Sequence, residues 1–289
     1  MSAEVFYGSM LRTERSIVEN EAGRQEPSAR TANNISNNRG QADAISFNET
    51  HGETIHRTAH ELGHTLGFSH THSRPDRDEH ITIIRKNIRD DLLPEFNKSD
   101  IRTMNTYNLP YDYGSIMHYS AKSASKNNEI VMRPRPDDRY LQTIGSPMIS
   151  FYDKLAVNLH YKCLEKCNEK YHKRCHNGGF ANPNDCSRCV CPSGYGGKYC
   201  DERPDTGCGK TVYAKTWFQT LVDSVGRENY NPYDHNDEFI MCNYWIVAPT
   251  GSTIEVKLEG YSKDGYSDGC KDSGVEIKIG NDTRSTGYR

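Results

Sequence analysis

The hydrophobic and polar positions change their period several times along the chain. Residues 1 to about 59 are polar, and Asn33, Asn34, Asn37 and Asn38 cluster in a stretch with the composition of a loop. From Ile55 to Phe68 the pattern is helical, with Ala59, Leu62, Gly63, Leu66 and Gly67 supplying an apolar and small-residue face. The span from His80 to Ile88 reads as a strand or sheet edge, carried by Ile81, Ile83 and Ile84. Beyond Cys163 the texture is turn-rich until about Arg203. After Cys208 short alternating runs take over, among them Thr253 to Leu258 and Val275 to Ile279, the period-two pattern of a half-buried sheet. No tandem repeat is present. The longest uncharged apolar runs fall far short of the roughly 20 residues that a membrane-spanning helix needs.

Charge excludes one large class of partner. With 36 Lys+Arg against 39 Asp+Glu the net charge is only −3, so the broad basic footprint of a nucleic-acid-binding protein is missing. The cysteines say more. The first 162 residues contain none, and eight of the ten fall between Cys163 and Cys208. Such density is what a module with too little core to fold unaided requires, and it implies an oxidising compartment. Four Asn-x-Ser/Thr sequons, at Asn34, Asn48, Asn97 and Asn281, are candidate glycosylation sites and fit export. The expected location is therefore extracellular, as a secreted protein. Met1 to Ser16 is charged throughout and has no apolar run like a signal peptide, so the sequence is expected to be a fragment or to carry a misplaced start.

The chemistry concentrates in His60-Glu61-Leu62-Gly63-His64-Thr65-Leu66-Gly67-Phe68-Ser69-His70. Two histidines four apart on a helix stand one turn above the other, so both imidazoles reach one ion. Gly67 lets the chain leave the helix sharply, because glycine takes left-handed backbone angles cheaply, and the turned chain brings back His70 as a third ligand. Three neutral imidazoles leave one tetrahedral position open for water, the arrangement of a catalytic zinc site. Glu61 is placed to take that zinc-bound water's proton and to pass it to a leaving amine. Further along, Tyr113-Gly114-Ser115-Ile116-Met117-His118-Tyr119 offers a soft apolar floor in Met117 and a phenol in Tyr119, as an extra ligand or an oxyanion donor. His72, His80 and His118 read as hydrogen-bonded structural histidines, and the Arg74, Asp76, Arg77, Asp78 run reads as an ion-pair network.

These motifs together, with Thr143-Ile144-Gly145 and Ser150-Phe151-Tyr152-Asp153 through Asn158, Tyr161 and Cys163, resemble the astacin family of metzincin zinc endopeptidases. The resemblance implies an α+β metzincin-type protease domain with His60, His64 and His70 as zinc ligands and Glu61 as general base. It makes Met117 the methionine-turn residue and Tyr119 the switchable tyrosine that stabilises the transition state. The chain departs from the family pattern at Thr71, where a glutamate anchors the matured N-terminus, and at Arg85 and Ala124, where aromatic residues are expected. Upstream, only Gly23-Arg24-Gln25-Glu26 resembles the family's N-terminal subdomain, so residues 1–55 are expected to be degenerate or truncated. The upstream cysteine that would pair with Cys163 is absent as well.

Six cysteines, Cys167, Cys175, Cys186, Cys189, Cys191 and Cys200, stand with His176-Asn177-Gly178-Gly179 and Gly194-Tyr195-Gly196-Gly197 in an array that resembles an EGF-like module. By themselves they allow fifteen connectivities. The resemblance implies 167–186, 175–189 and 191–200. From Cys208-Gly209, through Cys242-Asn243-Tyr244-Trp245, to Cys270 the chain resembles a CUB domain, a β-sandwich, which implies a Cys208–Cys242 bridge. That domain is expected to be incomplete at Arg289, leaving Cys270 without its partner. Asp234, Asp237 and Asp272 are candidates for the calcium site that some CUB domains have, against the plainer reading of solvated loop carboxylates.

The expected architecture is thus multidomain: an astacin-like peptidase domain over residues 1–162, an EGF-like module over 163–203 and a partial CUB domain over 204–289. The expected function is zinc-dependent hydrolysis of peptide bonds in extracellular proteins. Zinc is the expected cofactor, the protein or peptide substrate is one partner, and extracellular matrix or other proteins bound through the EGF and CUB modules are the others. The rival expectation is a catalytically impaired astacin-like scaffold that acts through those modules.

Overall fold

The computed structural model describes residues 2–9, 54–135, 137–225, 239–260, 268–271 and 273–289. The sequons Asn34 and Asn48, the Gly23 to Glu26 segment and the calcium candidates Asp234, Asp237 and Asp272 lie outside the described residues. Asn97 and Asn281 are both exposed.

Helix α1 (Thr54–Thr65) takes up the helical pattern of the sequence and ends where glycine permits it. Gly67 sits at φ +90°, its N–H reaches His64 O at 2.9 Å and the next N–H, of Phe68, reaches Gly63 O at 3.0 Å. Those two bonds satisfy carbonyls that a helix end otherwise leaves unpaired and turn the chain back beneath the helix. The following segment forms short 3-10 turns and a small hairpin in which β2 (Ile81–Ile83) pairs antiparallel with β3 (Met132–Pro134). The strand expected over His80 to Ile88 is therefore only three residues long. It gives way to a 3-10 turn at Arg85–Asn87.

Around this hairpin lies the main core, built of Ile81, Ile88, Phe96, Tyr111, Tyr113, Ala121, Val131, Met132 and Ile144. Helix α2 (Phe151–His160) opens with a reciprocal capping box, in which Ser150 Oγ accepts Asp153 N–H at 3.0 Å and Asp153 accepts Ser150 N–H at 2.9 Å. Its Phe151 packs 5.6 Å, ring to ring, from Phe180, so the histidine-bearing region and the cysteine-rich region share a small core.

The cysteine-rich region has little secondary structure: a single-turn helix α3 (Glu169–His172) and a hairpin of β4 (Phe180–Asn182) with β5 (Asp185–Val190). Disulfides 167–186, 175–189 and 191–200 hold it, and Cys208–Cys242 closes the next region. Cys163 and Cys270 are unpaired. The C-terminal region is a sheet whose strands β6 (Thr211–Tyr213), β7 (Ile240–Val247) and β8 (Ser273–Lys278) are joined by β1 (Ser2–Ser9), in the order β6-β7-β1-β8.

The strand β1 pairs with β7 and β8 on either side over most of its length. Two neighbouring strands with open edges offer ladder partners on both sides, and an extended segment inserted between them satisfies all three backbones. The alternating run at Thr253 to Leu258 forms no strand, and Val256 and Leu258 are exposed. Alternation makes a strand only where a partner completes the ladder and covers one face, and none does so among the described residues.

Ile144 is fully buried in the main core. Its truncation to alanine is expected to cost about 2–5 kcal/mol. Urea unfolding checks this as a lowered midpoint at an unchanged m-value.

Candidate metal centre

Helix α1 sets His60 above His64 at one-turn spacing, and the turn at Gly67 carries His70 back to meet them. His70 Nε2 lies 3.2 Å from His60 Nε2 and 3.1 Å from His64 Nε2, and one nitrogen from each residue falls within 4.8 Å of the others. Tetrahedral coordination at about 2.0–2.1 Å separates ligand nitrogens by roughly 3.3 Å, so the convergence has the size of a zinc site.

Tautomers decide whether it has the chemistry. His60 Nδ1 bonds Ile116 O and His64 Nδ1 bonds Phe68 O, each at 2.8 Å. A carbonyl only accepts, so both Nδ1 atoms carry the proton and both Nε2 atoms of the neutral rings present bare lone pairs. His70 can satisfy at most one of them by donation. The cluster is short of protons in its own hydrogen bonding and complete with a cation at its centre. Electrostatics agrees. Burial lowers the pKa of His60, while burial and then the neighbouring His64 and His60 lower that of His70 to about 3. Neutral imidazole, the ligating form, is thus the resting state.

Met117 lies below the cluster, 3% exposed, and a methyl group at Gly63 would stand 2.5 Å from its Sδ. The small residue at 63 is what lets the helix sit down on the methionine. The peptide of Met117 also carries the segment after His70, because Thr71 N–H reaches Met117 O at 2.9 Å. Tyr119 packs its ring 4.4 Å from that of His70 and 4.2 Å from that of His72. Burial, and then Glu95 and Glu61, raise its phenol pKa, so Tyr119 keeps its proton and is a donor. Glu61 follows His60 on α1, is exposed, and its charge is felt at both His60 and Tyr119.

Two residues that the sequence singled out for no role hold this arrangement. Asp153, the capping-box acid of α2, accepts Ser115 Oγ–H at 2.6 Å and Ile116 N–H at 2.9 Å. Ser115 Oγ in turn accepts from Thr71 Oγ1 at 3.0 Å and from Met117 N–H at 3.1 Å. The S-x-x-D spacing at Ser150 to Asp153 marks the helix start but not this second use of the carboxylate. The charged run after His70 is structural. Arg74 forks onto Asp76 at 2.7 and 2.9 Å and also donates to the carbonyls of Leu109 and Pro110, while Arg77 donates to His72 O. His72 reaches Glu95 O at 3.2 Å, His118 bridges the Tyr111 hydroxyl and Tyr119 O at 2.7 Å each, and His80 stacks on Tyr111.

The burial of His118 sets a pH dependence. Its pKa is lowered to about 4 by burial, whereas the unfolded chain binds that proton below about 6.5. The stability tied to the neutral ring is complete above about pH 6.5 and drains as pH falls toward 4, by up to about 3 kcal/mol. His118→Gln is expected to flatten the fall of Tm with pH across that window. Parallel Tm–pH curves for parent and variant would contradict this.

Comparison with known proteins finds similarity over the region that holds the cluster. Residues 30–162 match the peptidase family described as Astacin. Zinc metalloproteinase nas-31 of Caenorhabditis elegans is 46% identical over 224 residues, covering 78% of this chain and 36% of its own length. Zinc metalloproteinase nas-25 of the same organism is 41% identical over 232 residues, covering 78% of this chain and 56% of its own length. The chain therefore spans from about a third to just over half of these relatives. A solved structure, high choriolytic enzyme 1 of medaka fish, a hatching enzyme zinc-protease, is 37% identical over 36% of this chain and 50% of its own, with a TM-score of 0.33. Through residues 30–162 the chain is similar to the astacin family of zinc metalloproteases.

Proposed function

We propose that the chain is a zinc-dependent endopeptidase acting on extracellular proteins, with His60, His64 and His70 as the metal ligands, Glu61 as the general base and acid, and Tyr119 as the oxyanion donor. The observation that carries this reading is the convergence of three imidazoles, two with their Nδ1 atoms bonded to carbonyls, beside a solvent-facing glutamate. Zinc in that cradle supplies Lewis acidity, polarising a scissile carbonyl and making water acidic near neutral pH. Glu61 takes the proton of the attacking water and returns it to the departing amine nitrogen, for which an exposed carboxylate one residue from a ligand is suited. Tyr119, held protonated beside His70, donates to the oxygen on which negative charge develops. Met117, Ser115 and Asp153 hold the three rings in register so that none of this needs rearrangement.

The remaining regions supply targeting in this reading. The interleaved bridges 167–186 and 175–189, with 191–200 after them, support an EGF-like module in residues 163–203, and the Cys208–Cys242 bridge with its sheet supports a CUB-like module after it. Disulfide-rich modules of this kind fit a secreted protein, and no helix among the described residues is long and apolar enough to cross a membrane. Their partners are then extracellular proteins.

The test is cleavage of an unfolded protein by chain secreted from eukaryotic cells, beside a Glu61→Ala variant and a chelator-treated control. Glu61→Ala is expected to lower kcat by about 10²–10⁴ with zinc content unchanged. A folded, zinc-loaded parent that cuts nothing would favour the rival reading, a catalytically impaired scaffold working through its C-terminal modules.

A further inference from the structure

Residues 282–289 turn back along β8, where Tyr288 exchanges both backbone hydrogen bonds with Ile277, and close on the loop that leads into the methionine turn. Thr286 N–H is donated to Asp112 Oδ1 at 3.4 Å, the same oxygen that accepts Gly114 N–H at 3.2 Å. The buried Thr286 side chain sits so tightly over Gly114 that a Cβ there would collide with it. Next to it, the fully buried Thr143 donates its hydroxyl to Gly287 O and accepts Arg289 N–H, both at 3.1 Å. Arg289 ties the stretch to the sheet through an ion pair with Glu276 of β8 at 2.8 Å, both side chains being nearly inaccessible.

From Gly114 the contacts run on to the histidine cluster without a gap. Ser115 N–H reaches Asp112 O at 3.3 Å, and Ser115 Oγ holds both Met117 N–H and the hydroxyl of Thr71, the residue after His70. Close-packed interiors transmit displacement over so short a path instead of absorbing it.

We propose that residues 282–289 are a positioning strap for the methionine turn, through which the C-terminal module sets the geometry and the metal retention of the histidine cluster. The proposal rests on the zinc reading of that cluster. It adds a regulatory surface to it, since whatever pulls on the C-terminal module loads or unloads Gly114.

A steric swap tests the contact. Gly114 does not occupy the left-handed backbone region, and the three atoms nearest to a methyl there all belong to Thr286 of the strap. Gly114→Ala is expected to speed zinc release to a chelator by roughly two- to thirtyfold, the range of coupling that packed networks carry, and to raise amide hydrogen exchange over residues 112–118. The double variant Gly114→Ala/Thr286→Gly, which clears the space, is expected to return both readouts toward the parent. A merely structural lesion would lower Tm without speeding release and would not be rescued by the second change. Release and exchange that ignore Gly114→Ala, or a double variant no better than the single, would overturn the strap. If Gly114→Ala does not fold, Thr286→Gly alone carries the test, with faster release and exchange expected and parental values overturning the proposal. A parent chain that holds no zinc would contradict the metal reading instead, and the exchange measurement would then decide the strap by itself.

Discussion

The Nδ1 protons of His60 and His64 are committed to two backbone carbonyls, Ile116 O and Phe68 O, and the site depends on that commitment. Each bond fixes a tautomer and a ring orientation, and each leaves an Nε2 lone pair aimed at the same point. His70 Nε2 lies within hydrogen-bonding distance of both, and a neutral imidazole has one proton to give, so at least one of the two lone pairs stays unmet unless a cation stands among the rings. Both carbonyls belong to the turns that the motif itself creates. Phe68 O lies just past the Gly67 turn and Ile116 O lies in the methionine turn. The same two turns that bring the histidines together therefore also choose their protonation.

Holding those turns in place explains much of the polar architecture around them. Asp153 serves the N-terminus of α2 and the methionine turn with one carboxylate, so the helix cannot shift without moving the floor of the site. Arg74 and Arg77, both buried, fasten the segment after His70 to carbonyls of Leu109, Pro110 and His72. Buried guanidinium groups are costly unless their donors are met, and Arg74 meets a carboxylate and two carbonyls. Thr71 completes the set with a neutral hydroxyl bond to Ser115.

The histidine cluster was legible in the sequence and its supports were not. His60, His64, Gly67 and His70 are bound by helical periodicity and by the one residue type that turns cheaply, so local rules suffice to bring them together. Met117 and Tyr119 could be expected beside the cluster because their motif is short and contiguous, and they pack against Gly63 and His70. Asp153 and Ser115 act across separations of 38 and 44 residues, to each other and to Thr71, and no local period encodes such a meeting. The same limit shows in the fold. The run at Thr253 to Leu258 has the alternation of a strand but lacks a ladder partner, whereas β1 found its partners at the far end of the chain. Pairing is a property of two segments, and pattern describes only one.

The central claim is that three imidazoles, and no cysteine sulfur, hold the metal. X-ray absorption at the zinc edge of the purified, zinc-loaded chain tests it most directly. The predicted spectrum has three imidazole nitrogens and a further light scatterer, all at about 2.0–2.1 Å. A sulfur shell at about 2.3 Å, or fewer than three imidazoles, would contradict it.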